Sequence, residues 1–161
     1  MYVNFHELPT TSRVWVYQAD RELSQGEIEQ ISKKLKHFVN HWKRHGEDLK
    51  ASFVIKYNQF IILAVDEDYN DVSGCSIDDS VRIIKELQQE LAVDLLNKMK
   101  VTFKDGTNIN TVSLQDFKKY AQQEKIKSDT VVFNNMIQSK ADFETAWEVE
   151  ARKSWHAKFL V

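Results

Sequence analysis

Glycine and proline are both scarce in this chain. Its 161 residues include four glycines and one proline, whereas average usage would give about 19 of these two residue types together. Successive glycines are 20, 28 and 32 residues apart. No two are close enough to form the glycine-rich loops that hold phosphate groups, so the sequence excludes both common nucleotide-binding motifs, and we expect no nucleotide to bind.

Cysteine is as scarce as proline, since Cys75 is the only one. A single cysteine excludes an intramolecular disulfide and any zinc site built from several cysteines, and we expect no metal and no cofactor. The first residues have neither the cationic start nor the apolar stretch of a signal peptide. The apolar run at 60–65 is too short to cross a membrane, so the sequence predicts a soluble cytoplasmic protein.

Neither sign of charge dominates. The chain has 22 basic and 24 acidic residues and a net charge of −2, which gives no general attraction to nucleic acid or to an anionic membrane. Hydrophobic residues make up 42% and charged residues 29% of the chain, a balance typical of a folded protein. At this length we predict one domain that spans residues 1–161.

The hydrophobic pattern predicts an α+β fold. Strand patterns cover 13–19, 52–57, 60–66 and 100–104. A first helix is predicted to begin at the capping box of Ser24 and to end before Gly46, and a second helix is predicted to begin at Ser76. The order βαββαβ is that of a ferredoxin-like core, an antiparallel sheet with helices on one face.

Three further elements are predicted after this core, namely a helix at 113–123, a strand at 130–134 and a helix at 141–148. They form a C-terminal α-β-α extension. Within the core, the strands at 52–57 and 60–66 are predicted to form a hairpin with Asn58 and Gln59 in its turn.

Five segments resemble a known family; they are 12–19, 45–53, 73–81, 132–135 and 154–156. The family consists of small uncharacterised bacterial proteins that often receive the automatic label "ABC transporter ATPase". The resemblance covers essentially the whole chain and implies no activity and no catalytic residues. The label conflicts with the sequence, because an ABC ATPase needs a Walker A loop and no two glycines lie five residues apart. We therefore do not expect ATP hydrolysis.

Cys75 precedes the helix predicted at Ser76, and amide groups at a helix N-terminus can stabilise a thiolate. One alternative is therefore a small enzyme with a site at Cys75, Ser76 and Asp78. Its proton carrier would be His45 or His156. Six acidic residues and no base lie between 66 and 79, and this negative charge disfavours a thiolate. The other alternative is a small buried cysteine that packs where the loop meets the helix.

The same acidic segment has part of a calcium-binding pattern. Asp66, Asp68 and Asn70 match the first three ligand positions of an EF-hand loop. Positions six and twelve, where that loop needs glycine and glutamate, are Asp71 and Ile77. A weak divalent-cation site on 66–79 is one alternative, and a solvated loop is the other.

Three histidines recur every four residues along the first predicted helix. His37, His41 and His45 drift around the helix from its exposed face toward the edge of its apolar stripe. We therefore do not expect them to share a metal ion, and we expect His45 to pack beside Trp42.

The first helix also carries a run of positive charge. Its five bases, with no acid among them, are Lys33, Lys34, Lys36, Lys43 and Arg44. Such a run forms either a docking face for an acidic partner or RNA, or a solvated helix face. The overall charge favours the solvated face.

Two further groups of polar or aromatic residues lie near predicted element ends. Asn134 and Asn135 follow a predicted strand, which is typical of a turn, and Trp155 is expected to anchor the C-terminal segment. With Trp42, these are the candidate binding residues, and they would form a pocket if they met the site at Cys75.

No complete catalytic arrangement is present in the sequence. We therefore expect a non-enzymatic binding or protein-interaction module, with self-association through the sheet as one mode of binding. A small enzyme at Cys75 and a weak cation site on 66–79 remain alternatives. Nucleic acid and membranes are not expected partners.

Overall fold

The structure is a computed structural model that describes residues 1–161. It contains four α-helices and antiparallel sheets, which confirms the α+β class. The chain divides into two compact units. The first unit comprises Met1–Leu96 and Gln138–Ala141, and the second comprises Asn97–Ile137 and Asp142–Val161.

The first unit contains five strands and two helices. In chain order they are β1 (Arg13–Gln18), α1 (Gln25–His41), β2 (Lys43–Arg44), β3 (Glu47–Asp48), β4 (Ala51–Lys56), β5 (Phe60–Val65) and α2 (Gly74–Leu91). The main sheet has the order β1-β5-β4, and both pairings are antiparallel. Every residue of β5 is buried, as expected for an uninterrupted apolar strand at the centre of a sheet.

Both helices pack on the same face of this sheet. Leu35 of α1 and Ile84 of α2 share one core cluster with Leu63 of β5. The predicted helices are thus confirmed, and α1 begins at the capping box of Ser24 and Glu27. The start of α2 differs, because the hydroxyl of Ser73, not that of Ser76, caps this helix by accepting the amide hydrogen of Ser76 at 3.1 Å.

Gly46 does not end α1. The helix ends at His41, four residues earlier than Gly46 would require, and Trp42 is its extended cap. Gly46 instead has φ +80° beside His45 at φ +50°, in the two-residue turn between β2 and β3. Two consecutive positive φ angles are what a type I′ hairpin turn requires.

The hairpin of β4 and β5 is confirmed. Its turn lies one residue earlier than predicted, because Tyr57 and Asn58 adopt the positive φ angles of 54° and 52°. The amide of Gln59 donates to the carbonyl oxygen of Lys56 at 3.0 Å and closes this turn.

The second unit contains a separate sheet. Its strands are β6 (Lys100–Asp105), β7 (Asn108–Ser113), β8 (Val131–Phe133) and β9 (Glu148–Glu150), in the order β7-β6-β8-β9. Two helices lie between these strands in sequence, α3 (Leu114–Gln122) and α4 (Lys140–Ala146). The first two residues of α4 belong to the first unit. Two short 3-10 helices, Ala151–Lys153 and Trp155–Phe159, follow β9.

The strand predicted to complete the ferredoxin-like sheet at 100–104 is therefore in the other sheet. The turn at Gly106, whose φ is +62°, lets β6 pair along its whole length with β7. A hairpin between neighbours in sequence has a small loop-closure cost. The sheet of the first unit is left with three strands.

The helix-strand-helix order predicted for the C-terminal extension is found in α3, β8 and α4. The strands β7 and β9 were not predicted, because their residues are largely polar or charged. No helix in the chain is both long enough and apolar enough to span a bilayer.

Candidate functional site

Cys75 lies in the first turn of α2 and is exposed. The expectation of a buried cysteine that packs against the helix is therefore wrong. Its sulfur takes part in no hydrogen bond, and Asp78, one turn further along α2, is exposed as well. The structure thus gives Cys75 and Asp78 no side-chain partner in common.

Ser76 is buried, and its hydroxyl has a structural role. Its Oγ donates to the carbonyl oxygen of Lys43 at 3.0 Å and lies 2.8 Å from Oγ of Ser73. Because the single proton of Ser76 is directed to Lys43, the Ser73 hydroxyl is the donor between the two serines. The hydrogen bonds fix the start of α2 against the β2–β3 hairpin.

Trp42 belongs to the same arrangement and is not a surface binding residue. Only 2% of its side chain is exposed, and its Nε1 donates to the carbonyl oxygen of Ser76 at 2.9 Å. Its ring lies 5.1 Å from that of Phe38 and 6.1 Å from that of Trp15, measured between centroids. The structure therefore brings two candidate residues together, Trp42 and Ser76, as part of the core.

Neither proton carrier proposed for Cys75 is hydrogen-bonded to its sulfur. His45 is exposed at the tip of the β2–β3 hairpin, so the prediction that it packs beside Trp42 is wrong. It also lies outside α1, so His37, His41 and His45 do not share one helix. The rings of His37 and His41 are 4.4 Å apart.

His156 is fully buried in the second unit. Its Nδ1 and Oγ of Ser154 are hydrogen-bonded at 2.8 Å, and its ring meets the edge of Phe117 at 5.3 Å. Burial, with a smaller contribution from the charge of Lys158, lowers the pKa of His156 to about 4. Its Nε2 and the Nε1 of the neighbouring Trp155 are both buried without a hydrogen-bond partner. The imidazole is therefore a neutral core group.

The acidic loop is stabilised by its own carboxylates. Oδ1 of Asp66 accepts the amide hydrogens of Asp68 and Tyr69 at 3.0 and 3.3 Å, and Oδ2 of Asp68 accepts from the hydroxyl of Thr11 at 3.0 Å. No group of three or more histidine, cysteine, aspartate or glutamate side chains in the chain is placed to hold a metal ion. These contacts agree with the interpretation of the acidic segment as a loop, although its residues 74–79 belong to α2.

Asn134 and Asn135 also have turn contacts. Oδ1 of Asn134 accepts the amide hydrogen of Met136 at 3.1 Å, and Oδ1 of Asn135 accepts the indole hydrogen of Trp147 at 2.9 Å. Both belong to the second unit, as does Trp155, whereas Cys75 belongs to the first. The contacts agree with the turn interpretation of the asparagine pair.

The basic run of the first helix is partly neutralised. Lys34 pairs with Glu86 and Glu90 of α2. Lys43 lies 3.9 Å from Asp48, and the guanidinium of Arg44 lies 4.0 Å from Asp71. Three of its five bases therefore have carboxylate partners in the first unit.

A different group of bases has no such partners. We use the term C-terminal basic surface for six exposed lysines of the second unit, none of which forms an ion pair: Lys118, Lys119, Lys125, Lys127, Lys153 and Lys158. They lie on α3, on the loop after it and on the two 3-10 helices. Because they are spread over 41 residues of sequence, no short window is strongly basic, which is why the sequence did not reveal them.

The elements that carry this surface adjoin one another. The amide of Arg152 donates to the carbonyl oxygen of Ser128 at 3.0 Å, and that of Ala151 donates to the carbonyl oxygen of Thr130 at 2.8 Å. The ring of Phe117 in α3 lies 6.3 Å from that of Phe159. The 3-10 helices are thus joined both to α3 and to the loop that follows it.

Two of the six lysines meet at one aromatic ring. The ammonium groups of Lys118 and Lys158 lie 5.0 and 5.1 Å from the centroid of the Phe159 ring. Lys158 also lies 5.7 Å from the ring of Trp155, which stacks on His156 at 3.8 Å. Chemically, this arrangement presents positive point charges that suit an anionic group.

Comparison of the chain with protein-family models, with curated proteins and with solved structures gives no match in any of the three.

Proposed function

We propose that this chain is a non-enzymatic binding module that binds an anionic partner through the C-terminal basic surface. The observation that carries the proposal is the set of six exposed lysines without ion pairs on adjoining elements. An anionic partner would neutralise these charges, and complementary charge both accelerates encounter and selects the partner.

The distribution of charge between the two units supports the proposal. The second unit carries ten bases and eight acids, whereas the first carries twelve bases and sixteen acids. The net charge of −2 for the whole chain is therefore the sum of an acidic unit and a basic one. An anion is attracted to the second unit even though the chain as a whole is weakly acidic.

The contacts of the candidate catalytic residues favour binding over catalysis. The enzyme alternative relies on a histidine as the proton carrier for Cys75. The sulfur of Cys75 forms no hydrogen bond with either histidine: His45 is exposed at the tip of a hairpin, and His156 is a neutral group buried in the core of the second unit. We also propose that the chain does not hydrolyse ATP, since it has no Walker A loop.

Two finer aspects belong to the same proposal. For β1 to α2 we propose a ferredoxin-like fold that lacks its fourth strand, and the strand order β1-β5-β4 with two helices on one face supports this proposal. We place the protein in the cytoplasm, where a lone exposed thiol such as Cys75 stays reduced.

Binding to model polyanions tests the proposal. We expect fluorescently labelled oligoglutamate, oligouridylate or both to bind at low salt and to be released as salt rises. The triple variant Lys119→Glu/Lys125→Glu/Lys127→Glu should lose this binding. The matched control is Lys33→Glu/Lys56→Glu/Lys85→Glu, which changes the net charge equally with three exposed lysines of the first unit that form no ion pair.

The control triple variant should retain most of the binding. If neither polyanion binds the wild-type protein, or if both triple variants weaken binding equally, the basic surface is not a binding site and the proposed function is wrong.

A further inference from the structure

We infer that the partner is an acidic peptide segment, and that one of its carboxylates lies between Lys118 and Lys158 beside the ring of Phe159. This inference rests on the proposed function and names the partner of the same surface. It depends on three features of the structure, namely the distance between the two ammonium groups, their contacts with aromatic rings, and the groups that neighbour those rings.

The two ammonium groups are held near each other without a counterion. Since each lies about 5 Å from the same ring centroid, they are at most about 10 Å apart, close to the Debye length of about 8 Å at physiological ionic strength. Neither forms an ion pair. They therefore repel each other, and a carboxylate placed between them is attracted to both.

Contacts with aromatic rings hold these side chains in place before a partner arrives. Lys158 lies over both Trp155 and Phe159, and the rings of Trp155 and Phe159 meet edge to face at 6.2 Å. A lysine at such a distance from a ring is attracted to its face. Restricting a long side chain before binding reduces the entropy that is lost when the partner binds.

The groups that neighbour these rings favour a carboxylate over a nucleic acid. Proteins that bind single-stranded nucleic acid stack bases on open aromatic faces. Here Trp155 is stacked on His156 at 3.8 Å, and two ammonium groups lie about 5 Å from the centroid of the Phe159 ring. Arg152 pairs with Glu150. These elements therefore have no unpaired guanidinium that could form bidentate hydrogen bonds with a phosphate.

The remaining lysines favour a partner with several acidic residues. Lys127 and Lys153 lie next to Ser128 and Arg152, which are joined by a backbone hydrogen bond of 3.0 Å. An acidic segment with one carboxylate at Phe159 thus finds further positive charge on the neighbouring elements. Point charges on lysines suit successive carboxylates without strict geometry.

The test compares two labelled probes of equal charge, an oligoglutamate peptide and an oligouridylate, titrated by fluorescence anisotropy. We expect the wild-type protein to bind the peptide more tightly. Lys118→Gln/Lys158→Gln, which keeps much of the length of both side chains, should weaken peptide binding about three- to tenfold. The control Lys33→Gln/Lys85→Gln should leave the affinity unchanged, and thermal unfolding checks that both variants fold.

The outcomes separate this inference from the proposed function. If the oligouridylate binds more tightly than the peptide, the inference of an acidic peptide partner is wrong, while the proposal of an anion-binding surface stands. The placement of a carboxylate at Phe159 is overturned by a different pattern. In that pattern, peptide binding is lost in Lys119→Glu/Lys125→Glu/Lys127→Glu but is unchanged in Lys118→Gln/Lys158→Gln. If light scattering shows that the chain associates with itself at low salt and that this association blocks peptide binding, the partner is a second copy of the chain and not an acidic peptide. If neither probe binds, both proposals fail.

Discussion

The indole Nε1 of Trp42 donates a hydrogen bond of 2.9 Å to the carbonyl oxygen of Ser76. The hydroxyl of Ser76 in turn donates to the carbonyl oxygen of Lys43, the residue next to Trp42. The two segments thus exchange hydrogen bonds across a gap of 34 residues in sequence. This exchange joins the end of α1 and the β2–β3 hairpin to the start of α2.

The Ser76→Ala variant tests the structural role of this hydroxyl. We expect the free energy of unfolding to fall by about 1–3 kcal/mol, because the carbonyl oxygen of Lys43 loses its donor in a partly buried position. Urea unfolding followed by circular dichroism measures the change. Cys75→Ala, at the exposed neighbouring position, should stay within about 0.5 kcal/mol of wild type. Equal stability of the Ser76 variant and wild type would contradict the assigned role.

Ala92 ends α2 in the left-handed conformation, with φ 50° and ψ 45°. An alanine there is strained by its Cβ, whereas glycine is the residue that this position of a helix end favours. Because Ala92 is exposed, Ala92→Gly removes the strain without opening a cavity. We expect the free energy of unfolding to rise by about 0.5–1 kcal/mol.

The matched control for this substitution lies inside the same helix. Lys85 is exposed in the middle of α2, and Lys85→Gly should lower the free energy of unfolding by about 1 kcal/mol. Opposite signs for the two glycine substitutions are the expected pattern. A loss of stability in both would show that the end of α2 is not strained by the alanine side chain.

The exposed sulfur of Cys75 should react in the folded protein. We expect one equivalent of an aromatic disulfide reagent to label the native chain, at a rate no greater than in the urea-unfolded chain, because this sulfur has no hydrogen bond to a histidine. Thermal unfolding of the labelled protein should match that of the unlabelled protein. If the native thiol is labelled many times faster than the thiol of the unfolded chain, the result would favour the enzyme alternative.

Local signals account for the elements that could be predicted. The capping box at Ser24 and the apolar stripe that includes Ile31 and Leu35 lie within a few turns of each other, and they define α1 without reference to the rest of the chain. The same holds for α3, whose cap at Ser113 accepts the amide hydrogen of Asp116. Such elements depend on neighbours in sequence, which a pattern records directly.

Pairing and surface charge could not be predicted in the same way. A strand pattern at β6 indicates a strand but does not specify which sheet it joins, and pairing with β7 next to it is the less costly choice. The contact of Lys118 and Lys158 with Phe159 joins residues 40 apart in sequence. Only the packing of the second 3-10 helix against α3 brings those charges together.

The buried imidazole of His156 should make stability depend on pH. Burial lowers its pKa from 6.5 to about 4 in the folded chain, so between these values the unfolded chain carries a proton that the folded chain does not. Acidification therefore favours unfolding, and between pH 6.5 and 4 the free energy of unfolding should fall by up to about 1.4 kcal/mol for each pH unit. Well above pH 6.5 the contribution of this residue no longer depends on pH.

Urea unfolding between about pH 5 and 6.5, above the range where most carboxylates titrate, measures this slope. We expect His156→Phe and His156→Gln to reduce it, whatever their effect on stability at neutral pH. The control is Ser154→Ala, which removes the hydrogen bond to Nδ1 of His156 but keeps the imidazole buried, so it should lower stability while retaining the slope. A slope that survives in both His156 variants would mean that the proton is taken up elsewhere in the unfolded chain.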